Sequence, residues 1–81
     1  MEEFDAVVLT DDLPKGSIFD DVRGEGLRAG AFGYIVHIYG EGEAFIVEFF
    51  EKGETIAIAD VRADQVRAAT EQDLAARRIP A

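Results

Sequence analysis

The chain has no cysteine and no tryptophan, and only two prolines and one histidine in 81 residues. Without cysteine there is no disulfide, no thiolate nucleophile and no cysteine-based zinc site. No apolar run is long enough to span a bilayer. Bases are also scarce: eight Lys and Arg stand against seventeen Asp and Glu, a net charge of −9. Such a surface repels a nucleic-acid backbone and an anionic membrane and favours a basic partner, although acidity also serves solubility alone. The first residues, MEEFDAVVLTDD, lack the basic start and apolar core of a signal peptide, so a cytoplasmic protein is expected. A chain this short makes one domain with a thin core.

The charge is uneven. Residues 1–60 hold fourteen acids and four bases, net −10, and residues 61–81 hold three acids and four bases, net +1. The acidity therefore belongs to the body of the domain and not to its C-terminal tail.

What is abundant is β-forming sequence. Residues 32–61 carry three runs of Val, Ile, Phe and Tyr separated by Gly/Glu turns, the pattern of an antiparallel meander. The strands are expected at 33–39, 44–50 and 55–61, with reversals at Gly40–Glu43 and Glu51–Glu54 where glycine supplies positive φ. An earlier strand is expected at 4–10, ended by Pro14, and a closing strand near 66–69 after one turn of helix at 63–66. Residues 15–31 form a long Gly- and charge-rich loop in which Ile18, Phe19 and Val22 are the apolar residues able to pack. Thr70-Glu71-Gln72-Asp73 resembles a capping box, predicting a short helix near 71–78, with a frayed tail as the alternative. The sum is a mostly β, five-stranded SH3-like barrel over residues 1–69, with a C-terminal tail or short helix over 70–81.

Several segments in order carry a family resemblance: Asp12-Leu13-Pro14, Leu27-Arg28-Ala29-Gly30, Gly33-Tyr34-Ile35-Val36-His37-Ile38-Tyr39, Gly42-Glu43-Ala44-Phe45-Ile46-Val47-Glu48-Phe49, Gly53-Glu54-Thr55-Ile56-Ala57 and Ala63-Asp64-Gln65-Val66-Arg67. Across residues 6–68 they resemble a family of short bacterial proteins described only as a domain of unknown function. The resemblance implies an SH3-type barrel and an association with bacterial conflict or toxin–antitoxin gene neighbourhoods. Two departures stand out. Lys15 to Gly26 looks like an insertion, and Ile46 and Ala31 stand where the family has Glu and Asp.

Alternation along the third expected strand puts Phe45, Val47 and Phe49 on one face and Ile46, Glu48 and Phe50 on the other. If the small residues Ala57 and Ala59 also face inward, Ile56 and Ile58 join Ile46 and Phe50 in an outward apolar patch. The tail around Leu74 and Ile79, or the 18–22 loop, is the alternative cover for that patch, and the period alone leaves the opposite assignment open. Glu41, Glu43, Glu51 and Glu54 occupy the two hairpin turns. Adjacent Asp residues in the first loop lack the spacing of a calcium loop and read as solvated charge. His37 has no nucleophile or orienting carboxylate beside it in sequence, and Ser17 is the single serine. No catalytic, cofactor or metal site is expected.

Two functional classes follow. The first is a non-enzymatic neutraliser of antitoxin or immunity type, whose acids Glu41, Glu43, Glu51 and Glu54 steer a basic partner such as a nuclease toxin. Ile46, Phe50, Ile56 and Ile58 then anchor it. A related form is a phage-type inhibitor that mimics nucleic-acid charge on a defence nuclease. The second class is a structural module: a homo-oligomer, or an accessory barrel of a larger assembly.

Overall fold

A computed structural model describes residues 1–76. The elements run β1 (Ala6–Leu9), β2 (Asp20–Asp21), β3 (Phe32–Tyr39), β4 (Ala44–Glu51), β5 (Glu54–Arg62), a 3₁₀ turn (Ala63–Gln65), β6 (Val66–Ala68) and α1 (Glu71–Ala76). All strands join one antiparallel sheet in the order β2-β5-β4-β3-β1-β6. The expected meander is its centre, β3-β4-β5.

The strand count is six, not five. The additional strand, β2, lies inside the long first loop and pairs Asp20 with Ile58 and Asp21 with Ala57. Two aspartates have poor intrinsic strand preference, so only their position beside β5 makes them a strand. The observed pairing is that of an open sheet whose edges are β2 and β6, rather than a closed five-stranded ladder.

One face of the sheet is the core. Val7 and Leu9, Ile35, then Phe45, Val47 and Phe49, then Ala57, Ala59 and Val61 meet there, all nearly without solvent contact. Alternation along β4 placed Phe45, Val47 and Phe49 correctly because the period of a strand is two. The first loop covers this face with Leu13, Ile18 and Leu27. Leu13 and Leu27 exchange backbone bonds of 2.7 and 2.8 Å, which pins the loop at its base. Of the three apolar residues expected to pack from this loop, only Ile18 does; Phe19 and Val22 remain exposed.

Two bulges re-aim side chains. On β5, Ala57 opposes Phe49 while Thr55 opposes Phe50, leaving Ile56 as the extra residue. A bulge lets one strand insert a residue and bend. Ile56 is thereby buried in the core cluster, which corrects its expected place in the outward patch. On β3 the ladder slips between Ile35 and His37, with Val36 between them.

Glycine is required where β3 crosses β4. A Cβ on Gly33 would run into the Glu48 carbonyl oxygen and lie 2.8 Å from Val47 Cγ1. The β4–β5 reversal is a two-residue loop with Lys52 at φ +52° and Gly53 at φ +80°, the twin positive values of a type I′ hairpin turn.

The capping box forms. The Thr70 hydroxyl accepts from Asp73 N–H at 3.1 Å, and the Asp73 carboxylate accepts from Thr70 N–H at 2.8 Å. The helix is seen through Ala76; residues 77–78 of its expected span, and Ile79, lie outside the described residues.

Candidate protein-binding face

The face of the sheet opposite the core is built from cross-strand rows, because directly opposed residues share a face. One row runs His37–Ile46–Asp60 across β3, β4 and β5. The next runs Tyr34–Glu48–Ile58–Asp20 from β3 to β2. Ile46 and Ile58 are therefore brought onto one surface, as expected, each flanked by an aspartate on the neighbouring strand.

Around them is a shallow hollow of about 250 Å³ lined by Phe19, Tyr39, Ile46, Ile58, Ala59 and Asp60. Ile46 and Ile58 are half-buried, whereas Phe19 is 84% exposed and Tyr39 44%. The 18–22 loop thus reaches this face without covering it. Leu74, the described part of the expected tail cover, is itself exposed. The His37 ring meets Tyr39 edge-on at 4.9 Å. Asp20 and Asp60 are exposed at the border, and Thr55 donates its hydroxyl hydrogen to the half-buried carboxylate of Glu48. Arg62, in the adjoining Tyr39–Ala44–Arg62 row, is paired with Asp64 at 3.1 Å.

Phe50 does not join this hollow. It lies at the other end of β4, in an edge-to-face series with Tyr34 at 5.8 Å, which in turn meets Phe32 at 5.3 Å. The turn acids are likewise divided. Glu41 and Glu43 stand between β3 and β4, whereas Glu51 closes β4 and opposes Glu54, which opens β5. The eight residues of β4 separate the pairs by about 25 Å. Glu51 is also engaged by Arg23, whose guanidinium reaches both carboxylate oxygens at 3.3 and 3.4 Å. The expected single steering cluster is therefore two, and only Glu41 and Glu43 belong to the Tyr39 end of the sheet.

Two acids of the first loop brace the backbone instead of standing free in solvent. The Asp21 carboxylate accepts from Gly24 N–H at 2.9 Å and Gly26 N–H at 2.7 Å, and that of Asp12 from Ala29 N–H at 2.8 Å. Ser17 donates its hydroxyl hydrogen to the Pro14 carbonyl at 2.6 Å. At the C-terminal end, Arg67 grips Asp73 with two bonds of 2.7 and 3.1 Å. That guanidinium, then the Thr70 N–H, hold the Asp73 carboxyl well below the usual carboxylate range.

Alternation along the last meander strand put Asp60 on the same face as Ile58, as found. Sequence reasoning missed Phe19, Asp20 and Tyr39 as members of this face. Phe19 and Asp20 had none, because their place depends on the β2–β5 pairing.

The model of a family described as a domain of unknown function (DUF4926) matches residues 3–68, most of the chain. This bears out the resemblance read from the motifs. No curated protein and no solved structure matches the chain.

Proposed function

The chain belongs to the DUF4926 family, and we propose that it is a non-enzymatic, acidic protein-binding module that neutralises a basic partner, in the manner of an antitoxin or immunity protein. The observation that carries this reading is the Ile46–Ile58 hollow, with Phe19 and Tyr39 exposed beside it and Asp20 and Asp60 at its border. An apolar centre with a charged border is the composition of an interface hot spot. The net charge of −9 steers a basic protein toward it, and the apolar residues retain it. A nuclease toxin fits because its own substrate is a polyanion, so its surface is basic. A cytoplasmic location follows from that partner.

The bulged sheet, the 3₁₀ turn before the final strand and the short C-terminal helix support an SH3-like barrel as the framework. Within that framework His37 packs on Tyr39 and the Ser17 hydroxyl is spent on a turn, which supports binding over catalysis.

The test is affinity capture from a bacterial host lysate at low and high salt, using the wild-type chain and the Ile46→Glu/Ile58→Glu variant, with captured proteins identified by mass spectrometry. A basic protein held at low salt, released at high salt and lost with the variant supports the reading. Competition by nucleic acid for that partner would assign charge mimicry of a nuclease substrate. Capture indifferent to salt would favour a structural accessory module and overturn the steering role.

A further inference from the structure

A second concavity lies away from the Ile46–Ile58 hollow and has the opposite charge. It is a groove of about 980 Å³ between the 23–31 loop and the sheet. The aromatic series Phe32, Tyr34 and Phe50 lines it, and so do Arg28 and Lys52. Arg23 also lines it but is already held by Glu51 and Glu25. Arg28 and Lys52 make no ion pair with any described carboxylate. In a body whose first sixty residues carry a net −10, cations without an ion pair to a described carboxylate, lining one groove with aromatic rings, mark a place for carboxylates and a ring.

The chain itself presents such a group. Glu2, Glu3 and Asp5 flank Phe4 in the chain, and Phe4 is 73% exposed. Phe4 sits at φ +69°, a left-handed conformation that is strained for a bulky residue. Three bonds hold it there: Phe4 N–H to the Ile35 carbonyl at 2.6 Å, Asp5 N–H to the Glu2 carbonyl at 3.2 Å, and Glu2 N–H to the Asp5 carboxylate at 2.8 Å. The tie to Ile35 fixes the segment on β3, and Phe4 does not line its own chain's groove.

We propose that the groove of one molecule receives the Met1–Asp5 segment of a second copy of this chain, the Phe4 ring on Tyr34 and Phe50 and the flanking carboxylates on Arg28 and Lys52. The contact is head-to-tail, with different surfaces on the two copies. A five-residue segment buries far less than a standard interface, so the association is weak and concentration-dependent.

The experiment is sedimentation equilibrium over a concentration series with three proteins: wild type, Phe4→Gly and Arg28→Glu/Lys52→Glu. Glycine keeps the left-handed turn while removing the ring. The wild type should rise in average mass with concentration, and each variant should associate about tenfold more weakly or not at all. An equimolar mixture of the two variants retains one intact ring donor and one intact groove, so it should regain a one-to-one dimer. The free peptide Met-Glu-Glu-Phe-Asp should shift the Tyr34 and Phe50 ring resonances. Self-association of Phe4→Gly equal to wild type would overturn the proposal, as would a wild type that stays monomeric while the peptide causes no shift. Peptide binding by a wild type that stays monomeric would overturn the second copy as occupant and point to an acidic segment of another protein.

Discussion

Asp21 holds Gly26 across five residues of chain: its carboxylate accepts the Gly26 N–H at 2.7 Å and the Gly24 N–H at 2.9 Å. This one side chain closes the middle of the first loop, while the Leu13–Leu27 bridge closes its base. Asp21→Ala should therefore loosen residues 22–27 without unfolding the sheet, at a cost of about 1–2 kcal/mol. Hydrogen exchange measures it directly. The Gly24 and Gly26 amides should exchange faster in the variant while the Phe45, Val47 and Phe49 amides hold. Unchanged exchange at the two glycines would show that the loop owes its shape to Leu13, Ile18 and Leu27 alone.

The Arg67–Asp73 pair ties α1 to β6 and gives that tie an acid limit. The folded-state carboxyl is held below its ordinary value by Arg67 and the Thr70 N–H. The stabilisation is thus fully present above the unfolded-state pKa of about 3.9 and is lost as pH falls through the lower folded-state value. Carbon-detected NMR titration of Asp73 should show it ionised at a pH where exposed aspartates are half protonated. Asp73→Asn should free the helix at every pH. An ordinary titration midpoint for Asp73 would contradict the pairing.

Gly33 tolerates no side chain. Its missing Cβ is what lets β3 lie against the Glu48 carbonyl and the Val47 side chain. Gly33→Ala should destabilise the fold by about 1–3 kcal/mol through forced separation of β3 and β4. Gly30→Ala serves as a contrast, because open space surrounds that position and only its φ of +98° opposes the change. Equal denaturation midpoints for Gly33→Ala and wild type would show that the strands separate freely.

These residues also mark how far the sequence was legible. The meander and the inward set Phe45, Val47 and Phe49 follow from a period-two pattern bounded by glycine turns, and they are where the alternation puts them. Ile56 is not, because a bulge breaks the period at that residue and no local composition announces it. β2 was hidden for a related reason: Asp20 and Asp21 become a strand only through the edge of β5. The bracing by Asp21 did have a local signature, an aspartate three residues before a glycine in a turn. The division of Glu41 and Glu43 from Glu51 and Glu54 was also available, since successive hairpin turns fall at opposite ends of the shared strand.

That division sets the sharpest prediction for the binding face. If the Ile46–Ile58 hollow is the anchor, acids near it and acids beyond it must differ in effect. Asp20 opposes Ile58 and Asp60 opposes Ile46, whereas Glu54 opens β5 opposite Glu51, at the end of the sheet about 25 Å from the Glu41–Glu43 turn. Asp20→Lys/Asp60→Lys should slow association with a captured basic partner and reduce its salt dependence, since border charges act mainly on the on-rate. Glu54→Lys should change the rate only through net charge, by much less. Phe19→Ala should act on the off-rate and weaken binding by about 1–2 kcal/mol, at no expense to folding because that residue is 84% exposed. Surface plasmon resonance with the captured partner separates the two rates. Equal slowing by Glu54→Lys and by either single reversal, Asp20→Lys or Asp60→Lys, would mean that the whole acidic surface steers the partner and the hollow does not orient it. An unchanged off-rate for Phe19→Ala, together with unchanged binding by Ile46→Ala, would remove the hollow from the interface altogether.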